Sequence, residues 1–531
     1  MSKALYTSIV FYLIYLSTFS QGMTYIDTNQ IKAGLYPSAN MFIKTLNDKI
    51  EFADFEFPKN SGIQSVFYGT FWVIGKNSLN RLVGASNYYD YAMDWGIGPV
   101  ANNYSSTFDS TYKKVYKISS HQIQEHVKDF KNSNFTPSLE ILQWPGNGNT
   151  QNGESNILAN FSDVNMNGVY EPRLGEYPTI CGDQEALILL NDDRTLDSFR
   201  ICNKMKLETQ VRVFSFANKN NVLDSTIFLR FSITNKSSQK YHDAIFSFYM
   251  DPNMGCYNNN HVGCDTTQNT FYTYKRKGND NGCFPQKDFG NVRATQAVTF
   301  LNKQLVSFVK KTEHPFLPVG PSCNLFRAYQ EGRYYDSSVM IPFGNGYSGQ
   351  INPINSTKFL FHGNPTDSTT WSCIYPQNGP SLSADFYLVI GSVSLDTFYP
   401  NETKSIDLAI IHVLKDSIEK ANKPYDEVND LLREVGRVKD FYNTEIENCG
   451  RVFNNVISNE NSPTKLYPNP TSGIVYINSF KKQAVEVMDI SGKLCATFNI
   501  KNGSSQIDIS KLENGVYFAR IDSTIFKVVK Y

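Results

Sequence analysis

Asp163-Val-Asn165-Met-Asn167-Gly168 is the stretch whose residue types and spacing best suit chemistry. Oxygen-bearing side chains at alternate positions, followed by a glycine that permits a tight turn, let one short loop converge several hard ligands on a calcium ion. Val169 would add its carbonyl and Glu171 a carboxylate. The candidate ligands are therefore Asp163, Asn165, Asn167, Val169 and Glu171, with Ca2+ as the cofactor they imply. Two features weigh the other way. The twelfth position of such a loop needs a bidentate acid and here is Leu174, and two of the set are neutral amides. The competing expectation is an Asn/Gly-rich turn held by its own side-chain-to-backbone hydrogen bonds. A second loop, Asp251 to Cys264-Asp265, carries Asn258-Asn-Asn-His261 and reads as structural.

Nucleophilic catalysis needs a nucleophile beside a base, and a third group to orient the base. The seven histidines are scattered, and neither Gly-x-Ser-x-Gly nor His-Glu-x-x-His occurs. His121 and His126 would lie about 140° apart around one helix, poor spacing for a shared metal, and both read as surface residues. Paired acids for glycoside hydrolysis meet only in the fold. Glu140, near Trp144, is the residue type such an enzyme uses and equally an ordinary strand carboxylate. Trp72, Trp95, Trp144 and Trp371 would stack on sugar rings if exposed, but in a large β body they read as core.

Lysine plus arginine equals aspartate plus glutamate, 50 against 50. That excludes a general nucleic-acid binder, which needs a basic footprint to displace counterions. Abundant Tyr and Phe, with many Asn, Ser and Thr, favour strands and polar loops. Residues 1–22 read as a signal peptide: Lys3 gives a positive start, an apolar stretch follows to Tyr15, and small residues precede the cut. An exported chain meets an oxidising setting, so the eight cysteines ahead of Cys495 could form four bridges, in any of 105 pairings. The one pair that shares a loop is Cys256 with Cys264. Free buried thiols are the alternative.

These residues must be positioned by strands. Ser65–Ile74, Gln210–Phe216, Ser225–Ile233, Ala244–Met250, Ala297–Leu301, Phe386–Ile390 and Ser405–Val413 carry the pattern. Two helices interrupt them. One is capped by Ser119 or Ser120 with Ile123, Val127 and Phe130 on a face, and one runs from Asp426 to about Thr444. The expected fold class is mainly β: a large β-sandwich-type body at 23–453 with a few covering helices, in one or two subdomains. An Asn/Ser-rich linker at 454–464 follows, then a small C-terminal antiparallel β-sandwich at 465–531.

The C-terminal module resembles the type A sorting domain of the type IX secretion system. The resemblance rests on Leu466-Tyr467-Pro468-Asn469-Pro470-Thr-Ser-Gly473, on Val487-Met-Asp-Ile-Ser-Gly492-Lys493, and on Leu512-Glu-Asn-Gly515-Val-Tyr517-Phe-Ala-Arg520. It implies Sec export, recognition by the outer-membrane translocon, and a final place on the cell surface or outside. Attachment to surface lipopolysaccharide is the anchored form of that route. The body is similar to a group of Bacteroidetes proteins carrying this same domain, through Phe57-Pro-Lys-Asn-Ser-Gly62, Phe67-Tyr-Gly-Thr-Phe-Trp72, Gln143-Trp-Pro-Gly146 and Asp163 to Pro172. In that group aspartate tends to stand where this chain has Asn167, Glu171 and Glu176. The resemblance assigns no activity. The expected function is a non-enzymatic adhesion or surface-interaction protein with a glycan or protein ligand. The alternative is a secreted carbohydrate-active or other hydrolytic enzyme, whose mark would be two carboxylates about 5–10 Å apart in a cleft.

Overall fold

A computed structural model describes residues 22–449 and 465–530, apart from internal segments of which the longest are 195–199, 276–286, 312–321, 378–387 and 416–424. The expected signal peptide up to residue 21 and the linker at 454–464 lie outside the described residues. The chain divides into two compact units, Met1–Gly450 and Arg451–Tyr531.

In the first unit, β-branched and aromatic runs build two large antiparallel sheets. The larger orders Gly96–Ile97, Gln184–Asn191, Leu207–Ser215, Thr226–Asn235, Thr403–Lys415, Arg293–Phe300, Thr270–Lys275 and Asn260–Asp265, with Tyr116–Ser119 also pairing Gln184–Asn191. The smaller orders Leu305–Lys311, Leu388–Phe398, Tyr241–Pro252, Val66–Lys76 and Leu82–Ala85. Aromatic rings join them face to face: Phe231 lies 4.9 Å from Phe71 and 5.1 Å from Phe246, and Phe271 stacks on Phe308 at 5.3 Å. The outer face of the larger sheet is covered too. Val428, Leu431, Val435 and Val438 of the Glu427–Phe441 helix pack on Phe228, Ala409 and Ile411. Strands buried on both faces lose the in/out alternation, which is why Leu408-Ala-Ile-Ile411 is apolar without a break.

Over Leu187 and Leu189 sits a smaller cluster built from the Ser106–Tyr112 and Leu139–Leu142 helices and Trp144. The Ser120–Asp129 helix starts at the expected serine: Ser119 and Gln122 form a capping box. Its inward face differs from expectation. His126 is fully buried between Phe130 and Phe135, while Val127 is exposed. Burial lowers the His126 pKa, and of these two histidines His121 alone is a surface residue. Glu140 lies exposed on a helical turn begun by Ser138, not on a strand. All four tryptophans are buried.

Disulfides join Cys181 to Cys449 and Cys202 to Cys323. The expected Cys256–Cys264 pair does not form. Cys256 is disulfide-bonded, but Cys264 is a buried free thiol that donates to the Leu360 carbonyl at 3.3 Å. The reason is that Asn260–Asp265 has entered the larger sheet and turned Cys264 into the core between the sheets.

The second unit is a small sandwich of three strands (Lys465–Tyr467, Ile474–Ser479, Gly503–Asp508) and four (Leu494–Ile500, Gln483–Met488, Gly515–Ile521, Thr524–Lys530). Alternate aliphatic residues, Val475, Ile477, Val485, Val487, Ala519 and Ile521 among them, form its core.

Candidate functional site

The 163–176 loop is held by its own oxygens. Asp163 accepts from the backbone N–H groups of Asn167 and Gly168 at 3.2 and 2.8 Å, and Asn167 Oδ1 accepts from Val169 at 2.7 Å. Gly168, at φ +74°, supplies the left-handed turn that follows. Glu171 takes the side-chain amides of Asn165 and Asn167 at 2.9 and 2.7 Å, and those two donors lower its pKa. Glu176, which is fully buried, accepts from Val164 and Glu171 backbone at 3.1 and 2.6 Å. The loop thus brings Asp163, Asn165, Asn167 and Glu171 together, but the carboxylates of Asp163 and Glu171 already hold donors. Among the described residues no three of His, Cys, Asp and Glu converge as a metal set. A calcium ion would have Asp163, Asn165, Asn167, Val169 and Glu171 to draw on only by displacing amide donors from Glu171.

A second region carries no sequence motif at all. The Ser106–Tyr112 helix and the 149–154 turn line an open pocket of about 350 Å³, in the lower range of ligand pockets. Ser105 caps the helix by accepting from Phe108 N–H, and Gly153 at φ +77° closes the turn. Two bonds clamp the walls together: Asn103 N–H donates to Asn152 Oδ1 at 3.1 Å, and Asn152 Nδ2 donates to Asn103 O at 3.0 Å. The Glu154 carboxylate sits behind them, buried, and accepts from Tyr112 hydroxyl, Asn149 N–H and Asn152 Nδ2 at 2.6, 2.7 and 3.0 Å. Burial and that bonded carboxylate raise the Tyr112 pKa.

Two pairs with the makings of nucleophilic chemistry appear only in the fold. Ser65 Oγ lies 3.0 Å from His412 Nε2 across 347 residues of sequence, and Cys373 Sγ lies 3.5 Å from His261 Nδ1. All four side chains are buried. His412 packs against Phe55 and Phe57 at 5.5 and 4.4 Å, and burial drives its pKa down to about 3. It forms part of the wall of a cleft of about 800 Å³ with Asp224, Glu434 and Arg437, but Ser65 does not line that cleft. No residue spacing announces either pair.

The sorting motif builds the end of the second unit. Tyr467 pairs with Tyr476, while Pro468, Asn469, Pro470 and Gly492 lie outside the described residues. Thr471 donates its N–H to Val529 O at 2.8 Å, tying the motif to the last strand. Gly473 sits at φ +143°, and an added Cβ would meet Ser510 Cα at 2.7 Å, so no other residue fits there. Gly515 opens the closing hairpin opposite Lys530, and Tyr517 hydroxyl bonds Glu513 O at 2.8 Å. The motif residues that can be placed are those that shape turns and close the sandwich.

No helix among the described residues is long and apolar enough to cross a membrane. No curated protein matches the chain. Among solved structures, a polysaccharide lyase aligns at 10% identity with a TM-score of 0.17, over 65% of this chain and 35% of its own. The chain thus spans about a third of that enzyme's length, and likeness at this level carries no argument about fold or activity. Residues 465–531 match the family described as the secretion system C-terminal sorting domain. The chain therefore carries a type IX sorting domain, the part that engages the secretion machinery, and is exported to the cell surface or beyond it.

Proposed function

We propose that the body is a non-enzymatic surface-interaction module that binds a glycan or protein ligand and leaves it intact. The observation that carries this is the state of the groups that could react. Cys373–His261 is sealed in the core, and although His412 walls the larger cleft, its partner Ser65 is fully buried and does not line it, so neither pair offers a nucleophile to a substrate. The buried Glu154 carboxylate behind the smaller pocket is already committed to three donors. Groups held in this way position a ligand; they do not exchange protons with it. The 163–171 loop is part of the same reading as a self-capped turn that takes calcium weakly. After export, anchoring to lipopolysaccharide would place the binding body on the cell surface.

The test incubates the full chain with polysaccharides and unfolded proteins, scoring retention in affinity gels alongside new reducing ends or amine termini. Retention without cleavage is expected. Release of sugar or peptide fragments, abolished by replacing an acidic or nucleophilic residue, would overturn the reading in favour of a hydrolase.

A further inference from the structure

On the reading that the body binds without cleaving, we propose that the pocket between the Ser106–Tyr112 helix and the 149–154 turn is a subsite for a neutral saccharide. Adjacent sugar hydroxyls each donate and accept. A planar amide presents one donor and one acceptor side by side, so it matches such a diol better than a charged group does. Asn103, Asn149 and Gln151 bring three amides to this pocket, and Ser105 and Thr107 bring hydroxyls. The side chains of Asn103 and Gln151 make no hydrogen bond among the described residues. Asn149 uses its Oδ1 on Gln151 N–H at 3.1 Å, which leaves its amide N–H groups for a ligand.

The pocket is also built before a ligand arrives. Asn152 bonds both the N–H and the carbonyl of Asn103, and Glu154 fixes the Asn149 backbone and Tyr112 from behind. A ligand therefore has little chain to order, which lowers the entropic cost of binding. Other occupants fit less well. A cation would need free carboxylate lone pairs, and Glu154 spends both oxygens on donors. An anion would face that carboxylate, the one charged side chain lining the pocket. The rings of Phe108 and Tyr112 are buried and offer no stacking face, so binding rests on hydrogen bonds, with affinity on the order of millimolar.

The experiment uses the full chain and saturation-transfer NMR. The probes are methyl glycosides of glucose, galactose, mannose and N-acetylglucosamine and their disaccharides, with a blocked dipeptide amide as comparator. Asn103→Ala and Gln151→Ala alter exposed side chains, and Gln124→Ala on the Ser120–Asp129 helix is the control. At least one saccharide should bind, weakened about tenfold by each pocket variant as one or two hydrogen bonds are lost. The control and the melting temperatures should not move. Saccharide binding indifferent to both pocket variants would overturn the subsite while leaving a binding body. So would preference for the dipeptide, or no saccharide signal up to about 20 mM, far weaker than a few hydrogen bonds should give. Cleavage of a disaccharide would instead overturn the non-enzymatic reading on which this one rests.

Discussion

The two compact units both enclose a core between two sheets, but they fasten it differently. The sorting domain relies on small aliphatic residues such as Val475, Val485, Val487 and Val528, and its one cysteine is a free thiol. The body packs aromatic rings between its sheets, buries ion pairs at Arg212–Glu185, Arg230–Asp407 and Arg293–Glu427, and locks distant segments of the chain with disulfides. The difference follows from what each must carry. A module made of short hairpins closes through turns between near neighbours. A body that also joins partners as far apart as Cys181 and Cys449, 268 positions, needs interactions that are costly to break, because its contacts must offset a larger ordering entropy.

The contrast breaks most sharply at Arg230. Its guanidinium bonds Asp407 at 2.8 and 2.9 Å and the carbonyls of Ile446 and Cys449 at 3.1 and 2.7 Å, and Tyr442 hydroxyl completes Asp407 at 2.6 Å. Arg230→Met strands a buried carboxylate and should cost the body about 3–5 kcal/mol. Calorimetry should show the body's transition falling while that of the sorting domain stays in place. A shift of both would mean that the two units do not melt independently.

Next in size is the Cys181–Cys449 bond, which closes a loop across 268 positions. The paired replacement Cys181→Ala with Cys449→Ala should destabilise the body by about 2–5 kcal/mol. Urea midpoints check this, and an unchanged midpoint would show that the core alone sets the body's stability.

A smaller effect appears with acid. Burial keeps His412 neutral in the fold, with its pKa lowered from 6.5 to about 3. The unfolded chain takes up that proton near pH 6.5, so this contribution is complete at higher pH and is lost as pH falls toward 3. Asp192 opposes it. Burial, though countered by the N–H groups of Met205 and Leu207, raises its pKa to about 6, so its contribution is present at low pH and lost as pH rises through 6. His412→Gln removes only the first slope. The native body should lose about 2 kcal/mol more than the variant between pH 7 and 5. Equal losses in urea titrations would show that His412 does not titrate on unfolding.

Calcium should matter least. Weak binding at the 163–171 loop, on the order of millimolar, would add only about 0.4 kcal/mol at 1 mM. Terbium luminescence that saturates at micromolar metal, and is lost in Asp163→Ala, would show a true high-affinity site.

Local chemistry made parts of this molecule legible in its sequence. Ser119 with Gln122 announces a helix start, and the spacing of Val428, Leu431, Val435 and Val438 announces a helix lying on a sheet. The sorting motif is legible for the same reason, since Gly473 sits where the backbone itself makes the demand. What stayed hidden was assembled across long separations. Cys264 shares a loop with Cys256, but the strand pairing of Asn260–Asp265 carries its thiol into the core. His126 occupies an unremarkable helical position and is buried where Phe130 and Phe135 pack beside it. Asn103 and Glu154 belong to no motif, and the bonds that make a pocket of them run through Asn152.

The disulfide to Cys449 also has a mechanical consequence. A tether through the sorting domain would load the body from its C-terminal side, beyond the Glu427–Phe441 helix. Tension arriving at Cys449 divides there, and one share passes through sulfur to Cys181, three residues ahead of the Gln184–Asn191 strand. The helix therefore does not bear the load alone or peel first. A cell holding this protein by its tail would grip the body through the larger sheet, and drag on a bound ligand would be spread across paired strands.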